Sequence, residues 1–192
     1  MNTRQTFERL ETTIPGVCVL KPAVFGDARG FFLESYHRSK FADLGIRHNF
    51  VQDNHSRSIK NVLRGLHYQL HRPQAKLCRV IEGEVLDVAV DLRVGSPTFG
   101  KWASQLLSQE NKLVMFIPEG FAHGFLALSD SVQFLYKCSD FHDATDERGI
   151  LWSDPTLAIS WGVSQPIVSD KDSRLPTLAL APQDALPRFM QG

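Results

Sequence analysis

The chain has 192 residues, with 21 Lys+Arg set against 21 Asp+Glu and a hydrophobic fraction of 43%. That length suits one well-buried core rather than two domains, and the balanced charge offers no field for a nucleic acid or an anionic membrane. Three widely spaced cysteines (Cys18, Cys78, Cys138) and no apolar run near the roughly 20 residues of a membrane helix lead us to expect a soluble protein of a reducing, cytoplasmic compartment.

In chain order, Met1 to Leu10 is polar and has no signal-peptide core. The stretch Gly26 to Glu34 opens on a turn at Gly26-Asp27. It reads either as an edge strand with solvated charges or as part of a ligand site, with aromatics for a base, Arg29 for an anion and Glu34 as acceptor. Ser39 to Leu44 is a short helix candidate. Gln52-Asp53-Asn54 reads as an ordinary turn unless it supplies polar groups to a ligand. Val62 to Gln69 is an apolar, strand-like run. Val80-Ile81, a turn at Glu82-Gly83 and the run Glu84 to Leu92 predict a hairpin rich in Val, Ile and Leu. Strand runs recur at Leu113 to Ile117 and Ser131 to Cys138, between turn clusters such as Gly95-Ser96-Pro97, Pro118-Glu119-Gly120 and Ser153-Asp154-Pro155. Alternation puts Phe121, His123, Phe125 and Ala127 on one face, and Val132, Phe134, Tyr136 and Cys138 on another. Beyond Trp161 the chain is Pro-rich and polar, with a short helical stretch expected near Lys171 to Arg174. This pattern predicts a single mostly-β domain over 1–192, a jelly-roll sandwich or barrel with a few short helices. An extended tail from about 177 to 192 is expected to wrap its surface.

Arg64, His67, Lys76, His123 and Tyr136 sit in or beside apolar strand runs, where polar groups rarely belong without a partner or a task. Histidine exchanges protons near neutrality, and arginine offers a planar fork for phosphate oxygens. Together they suggest proton chemistry on a phosphorylated small molecule held in a cavity. Strict alternation would put Arg64 and His67 on opposite faces, so Gly65 is expected to relax the pleat through a bulge or bend. A metal set of His67, His71, Glu82 or Glu84, and His123 is disfavoured. In an extended strand His67 and His71 lie roughly 13 Å apart, and Lys76 opposes a cation. No Gly-x-Ser-x-Gly elbow and no glycine-rich phosphate loop is present. Asp170, Lys171 and Asp172 read as a solvated loop, although a histidine base needs an acceptor on its other nitrogen and a distant carboxylate can supply one.

Several blocks, taken in order, resemble the dTDP-4-dehydrorhamnose 3,5-epimerase family. They include Asp27-Ala28-Arg29-Gly30-Phe31-Phe32, Phe50-Val51-Gln52-Asp53-Asn54-His55-Ser56 and Leu63-Arg64-Gly65-Leu66-His67-Tyr68-Gln69. Asp87 to Arg93, Ser96-Pro97-Thr98-Phe99-Gly100, Ile117 to Phe125 and Tyr136-Lys137-Cys138 continue the match, which runs from about Gly26 to Pro176. The resemblance implies a cupin-like jelly roll, dimeric, using no metal or other cofactor. It implies inversion of C3 and C5 of dTDP-4-dehydro-6-deoxy-D-glucose, with His67 as base, Asp172 orienting it, Tyr136 as acid and Lys76 stabilising the enolate. By the same resemblance His123 lies beside the sugar and Arg64 holds the diphosphate. Arg29, Glu34, Gln52, Asp53, Asn54, Glu147 and Lys171 line the nucleotide site, with contacts near Arg29 and Glu34 crossing from a partner subunit.

Three positions depart from the family pattern. Asn61 stands where Gly is common, Cys78 where Val is common and His142 where an aromatic is usual. The alternatives are an epimerase of one carbon acting on a related dTDP-4-keto-6-deoxy sugar, a binding module for nucleotide sugars, and a metal-dependent cupin. The retained His67, Lys76 and Tyr136 argue against a mere binder, which needs no base and acid pair.

Overall fold

The structure, a computed structural model, describes residues 6–189. The first half of the polar N-terminal stretch and both ends of the expected domain therefore lie outside the described residues. Strands β1 (Phe7–Glu11), β2 (Cys18–Pro22), β3 (Val24–Asp27) and β4 (Gly30–Leu33) precede helix α1 (Arg38–Asp43). Then follow β5 (Gln52–Ile59), β6 (Leu63–Gln69), β7 (Lys76–Glu82), β8 (Glu84–Asp91) and β9 (Trp102–Ser108). The last strands are β10 (Val114–Ile117), β11 (Phe121–Ala127), β12 (Ser131–Cys138) and β13 (Glu147–Gly149), with a 3-10 turn at Asp172–Arg174. Among the described residues, no helix is long and apolar enough to cross a membrane.

Two sheets face each other. One has the order β1-β2-β10-β7-β12-β5, the other β13-β6-β11-β8-β9, and β3 with β4 forms a separate two-stranded hairpin. The mostly-β jelly roll expected from the sequence is the observed architecture. Between the sheets lie Phe121, Phe125 and Ala127 of β11 against Val132 and Phe134 of β12. These are the inward faces that period-two alternation picks out. The rings of Phe125 and Phe134 stack with centroids 4.2 Å apart.

Strand β11 is buried along its whole length because both of its faces are covered. Its other face, with Ala122 and Leu126, packs with Leu66, Val88 and Val90 under Leu157, Trp161 and Leu186 of the C-terminal segment. That segment is tied down by Tyr68, whose hydroxyl donates to the Ala185 carbonyl at 2.9 Å, and by the Val94 N–H, which donates to Pro187 at 2.8 Å.

Two local readings need correction. Val80-Ile81 and Glu84 to Leu92 are not a hairpin: β7 pairs with β10 and β12, whereas β8 pairs with β9 and β11. The chain crosses between sheets at Gly83, whose φ is +76° and where an added Cβ would sit 2.2 Å from the Ser131 carbonyl oxygen. A tight turn and a sheet crossing share the same composition, so sequence cannot separate them. Likewise Gln52-Asp53-Asn54 is no turn but the start of β5, in register with Cys138, Lys137 and Tyr136. Cross-strand pairing overrides the turn preference of Asp and Asn.

Buried Asp91 organises the loop after β8. It accepts from Arg93, Ser96 and Thr98, with the closest contacts at 2.6 Å. Burial pushes its carboxyl up, but these hydrogen bonds outweigh that and hold it below the ordinary range. Its stabilisation is therefore complete above the unfolded value of about 3.9 and is lost as pH falls through the lower folded value. Asp91→Asn should cost about 2 kcal/mol at pH 7, and less near pH 3, in urea unfolding. An equal loss at both pH values would contradict the assigned ionic role.

Candidate active site

The geometry of the site begins where β6 passes β11. His123 is opposite His67, and Phe125 is opposite Arg64. Two residues of β11 thus span three of β6, so β6 carries one extra residue at Gly65-Leu66. This bulge puts Arg64 and His67 on the same cavity, as the sequence requires if both serve one ligand. It also brings the backbones together: a Cβ on Gly65 would lie 2.6 Å from Gly124 Cα, and one on Gly124 2.7 Å from the Arg64 carbonyl oxygen.

The cavity has a volume of about 490 Å³ and opens between the two sheets. Arg64, His67 and His123 line it from the five-stranded sheet, and Lys76 and Tyr136 from the six-stranded sheet. Glu147 of β13, with Lys171 and Asp172 from the C-terminal segment, closes its rim. Gln52 and Asn54 line an adjoining pocket that shares His67, Lys76, Tyr136 and Glu147 with the main one.

His67 Nε2 lies 2.7 Å from Asp172 Oδ1, while Asp172 Oδ2 accepts from the Gly65 N–H at 3.3 Å. Asp172 is only 4% exposed. Burial alone raises its carboxyl, yet the bonds from His67, Gly65 and Ser169 hold it below the ordinary range. As a carboxylate it can only accept, so Nε2 carries the proton and Nδ1 keeps a lone pair in the neutral ring. Asp170 is instead an exposed residue near Arg174.

Tyr136 is pushed up to about 12, mainly by burial and further by Cys138, Cys78 and Glu147, so it is a protonated phenol at neutral pH. Lys76 Nζ lies 5.8 Å from its ring centre. Burial also lowers His123, against the pull of Asp87, whose Oδ1 lies 2.6 Å from His123 Nε2. The cavity therefore combines a hydrogen-bonded imidazole, a protonated phenol and an ammonium group.

Other expected residues lie elsewhere within this chain. Asp53 pairs with Lys137 at 2.9 Å and lines a different pocket, which Asn54 and Tyr136 also border. Arg29 pairs with Asp27 on the exposed hairpin, and Glu34 accepts from Lys40 and Thr6; none of these lines the cavity. Of the metal set weighed above, His71, Glu82 and Glu84 do not line the cavity. The sequence reading overlooked Asp87 and Ser169. The Asp87 signal was present, a lone carboxyl in the apolar run Val85-Leu86-Asp87-Val88-Ala89-Val90.

A family model described as dTDP-4-dehydrorhamnose 3,5-epimerase matches residues 11–179. The chain belongs to that family. A dTDP-4-dehydrorhamnose 3,5-epimerase of Shigella flexneri is 56% identical over 165 residues, covering 85% of this chain and 91% of that protein. A Legionella pneumophila dTDP-6-deoxy-D-glucose-3,5-epimerase, solved with dTDP-4-keto-L-rhamnose, aligns with a TM-score of 0.94 at 47% identity, covering 96% of this chain and 100% of that one. A 3'-monoepimerase of Streptomyces bikiniensis, solved with dTDP-quinovose, aligns with a TM-score of 0.88 at 33% identity, over 93% of this chain and 92% of that one.

The departures of this epimerase from its family pattern have structural accounts. Asn61 adopts φ +66°, the left-handed region that Asn tolerates. His142 Nε2 lies 2.8 Å from Glu147 Oε2, and Glu147 also accepts from Lys171. Cys78 is fully buried beside His123. Gly65→Ala should unfold at lower urea, by about 2 kcal/mol or more, because a methyl group has no space and φ is +116°. A variant with unchanged stability would show that the close approach of β6 and β11 is not required.

Proposed function

We propose that this epimerase inverts both C3 and C5 of dTDP-4-dehydro-6-deoxy-D-glucose, giving dTDP-4-dehydro-L-rhamnose in a cytoplasmic pathway. The observation that carries this reading is that His67 and Tyr136 face one cavity from opposite sheets. Inversion removes a proton from one side of a carbon and returns one to the other, so base and acid must flank the sugar. Both carbons adjoin the C4 ketone, and loss of either proton gives an enolate whose charge rests on that oxygen. No electrons are lost or gained overall, so proton transfers suffice.

In this mechanism His67 Nδ1 takes the proton while Asp172 holds the ring and stabilises the imidazolium that forms. Lys76 offsets charge that appears only as the enolate develops, which lowers the barrier more than uniform binding does. Tyr136, held protonated by burial, returns the proton. His123 borders the sugar and Arg64 the diphosphate, with Gln52, Asn54, Glu147 and Lys171 toward the nucleotide. The names of the Shigella and Legionella relatives favour the double inversion. The Streptomyces monoepimerase shares the fold, so overall fold does not separate one inversion from two.

Incubating dTDP-4-dehydro-6-deoxyglucose with the enzyme in D₂O and following it by proton NMR should show deuterium at both C3 and C5. Exchange at one carbon would make it a monoepimerase. His67→Ala should lower turnover by roughly 10²–10⁴-fold with dTDP affinity nearly unchanged, and Tyr136→Phe should impair product formation more than the initial exchange. Wild-type rates in either variant would remove the corresponding role.

The proposal includes a homodimer. Phe31 and Phe32 of the β3–β4 hairpin are 62% and 70% exposed, with Val24 and Phe25 also exposed beside them. An apolar patch of this kind is characteristic of an interface. Pairing there would explain why Arg29 and Glu34 miss the cavity of their own chain, since they would serve the partner's nucleotide. Light scattering should give twice the chain mass, and Phe32→Asp should shift it toward monomer. A monomeric wild type would refute the shared site.

A further inference from the structure

Among the described residues, one group of His, Cys, Asp or Glu side chains is close enough to hold an ion. Cys78 of β7, Asp87 of β8 and His123 of β11 each offer a ligand atom, all within 4.8 Å of one another, and all three residues are buried. Cys78 Sγ lies 3.7 Å from His123 Nε2. The corresponding edge of a tetrahedral zinc site, built from Zn–S of about 2.3 Å and Zn–N of about 2.0 Å, is about 3.5 Å. The His123–Asp87 contact of 2.6 Å would have to open by less than about 1 Å to reach its own tetrahedral edge. A second observation points the same way. Among the described residues Asp87 Oδ2 is buried without a hydrogen-bond partner, an arrangement that calls for an explanation.

We propose that Cys78, Asp87 and His123 form a site for a thiophilic divalent cation such as Zn²⁺, Cd²⁺ or Co²⁺, and that its occupation inhibits the enzyme. Cys78 supplies the only sulfur of the group, so the preference for a thiophilic ion depends on it. On binding, the thiol gives up one proton to solvent and the sulfur–metal bond forms. His123 remains neutral, with its proton moving from Nε2 to Nδ1 as Nε2 takes the metal. The ion and its two anionic ligands then sum to zero, against −1 for the empty site with its Asp87 carboxylate, so the thiolate limits the charge added near Lys76 to a single unit. His123 lines the cavity, which provides the entry path and a fourth ligand from water. The inhibitory effect rests on the reading that the sugar sits beside His123; the binding does not.

The test uses untagged, metal-free full-length protein titrated with Co²⁺. Wild type should bind one ion per chain with thiolate-to-cobalt charge-transfer absorption in the near ultraviolet and release of about one proton. Cys78→Val, nearly isosteric, should lack the band and bind more than about 100-fold more weakly, since losing even an outer partner of a ligand costs 10–100-fold. Asp87→Asn should keep the band with reduced affinity. Absence of the band from wild type, or its persistence in Cys78→Val, would overturn the site. Zn²⁺ should inhibit epimerisation, EDTA should reverse it, and Cys78→Val should resist it. Equal inhibition of both proteins would overturn the inhibitory role while leaving the cobalt result to judge the site.

Discussion

The arrangement of the cavity depends on one close approach, where Gly65 of β6 meets Gly124 of β11 with no side chain between them. At that point β6 carries its extra residue, so Arg64 and His67, three positions apart, turn toward the same space. The Gly65 N–H also donates to Asp172, so the bulge helps seat the carboxylate that orients His67. The two glycines, the bulge and the His67–Asp172 bond thus act together. A side chain at either glycine would separate the strands and loosen all of them.

The site separates the protonation states of its groups by environment. Tyr136 and His123 are both desolvated, which disfavours the phenolate of one and the imidazolium of the other. Asp172 is buried too, but its bonds with His67 and the Gly65 N–H, with the charge of His67, outweigh the effect and hold it below the ordinary range. The phenol starts near 10 and burial takes it further up, whereas the carboxyl starts near 3.8 and its partners hold it down, so the two remain a neutral acid and an anionic acceptor. Opposed environments of this kind are how a fold supports acid and base roles at one pH.

The sheets and the C-terminal segment have distinct tasks. The sheets present Arg64, His67, Lys76, His123 and Tyr136 to the cavity from two directions, on strands β6, β7, β11 and β12 that are all anchored in buried clusters. The C-terminal segment covers the outer face of the five-stranded sheet and delivers Ser169, Lys171 and Asp172 to the rim. The β3–β4 hairpin stands apart, with its aromatic rings exposed and Arg29 paired with Asp27, away from the cavity that His67 lines. A single chain therefore brings His67, Lys76, Tyr136 and Asp172 to one cavity but leaves Arg29 and Glu34 away from it.

The sequence by itself determined the fold class and the family. Period-two alternation in Phe121 to Ala127 and Ser131 to Cys138 marks inward faces directly, and the ordered blocks around His67, Lys76 and Tyr136 carry the likeness to the epimerases. Polar groups inside apolar strand runs were legible because burying them is costly without a partner or a task. Strands β1 and β9 were not legible, since their mixed polar and apolar residues give no clear period. Which sheet each strand joins, and so the misread of β7 and β8 as a hairpin, depends on pairings that local composition does not encode. The link from His67 to Asp172 spans 105 residues, and Asp87 meets His123 across 36. Such partners are chosen by where the folded backbone ends up, so only the tertiary structure could decide them.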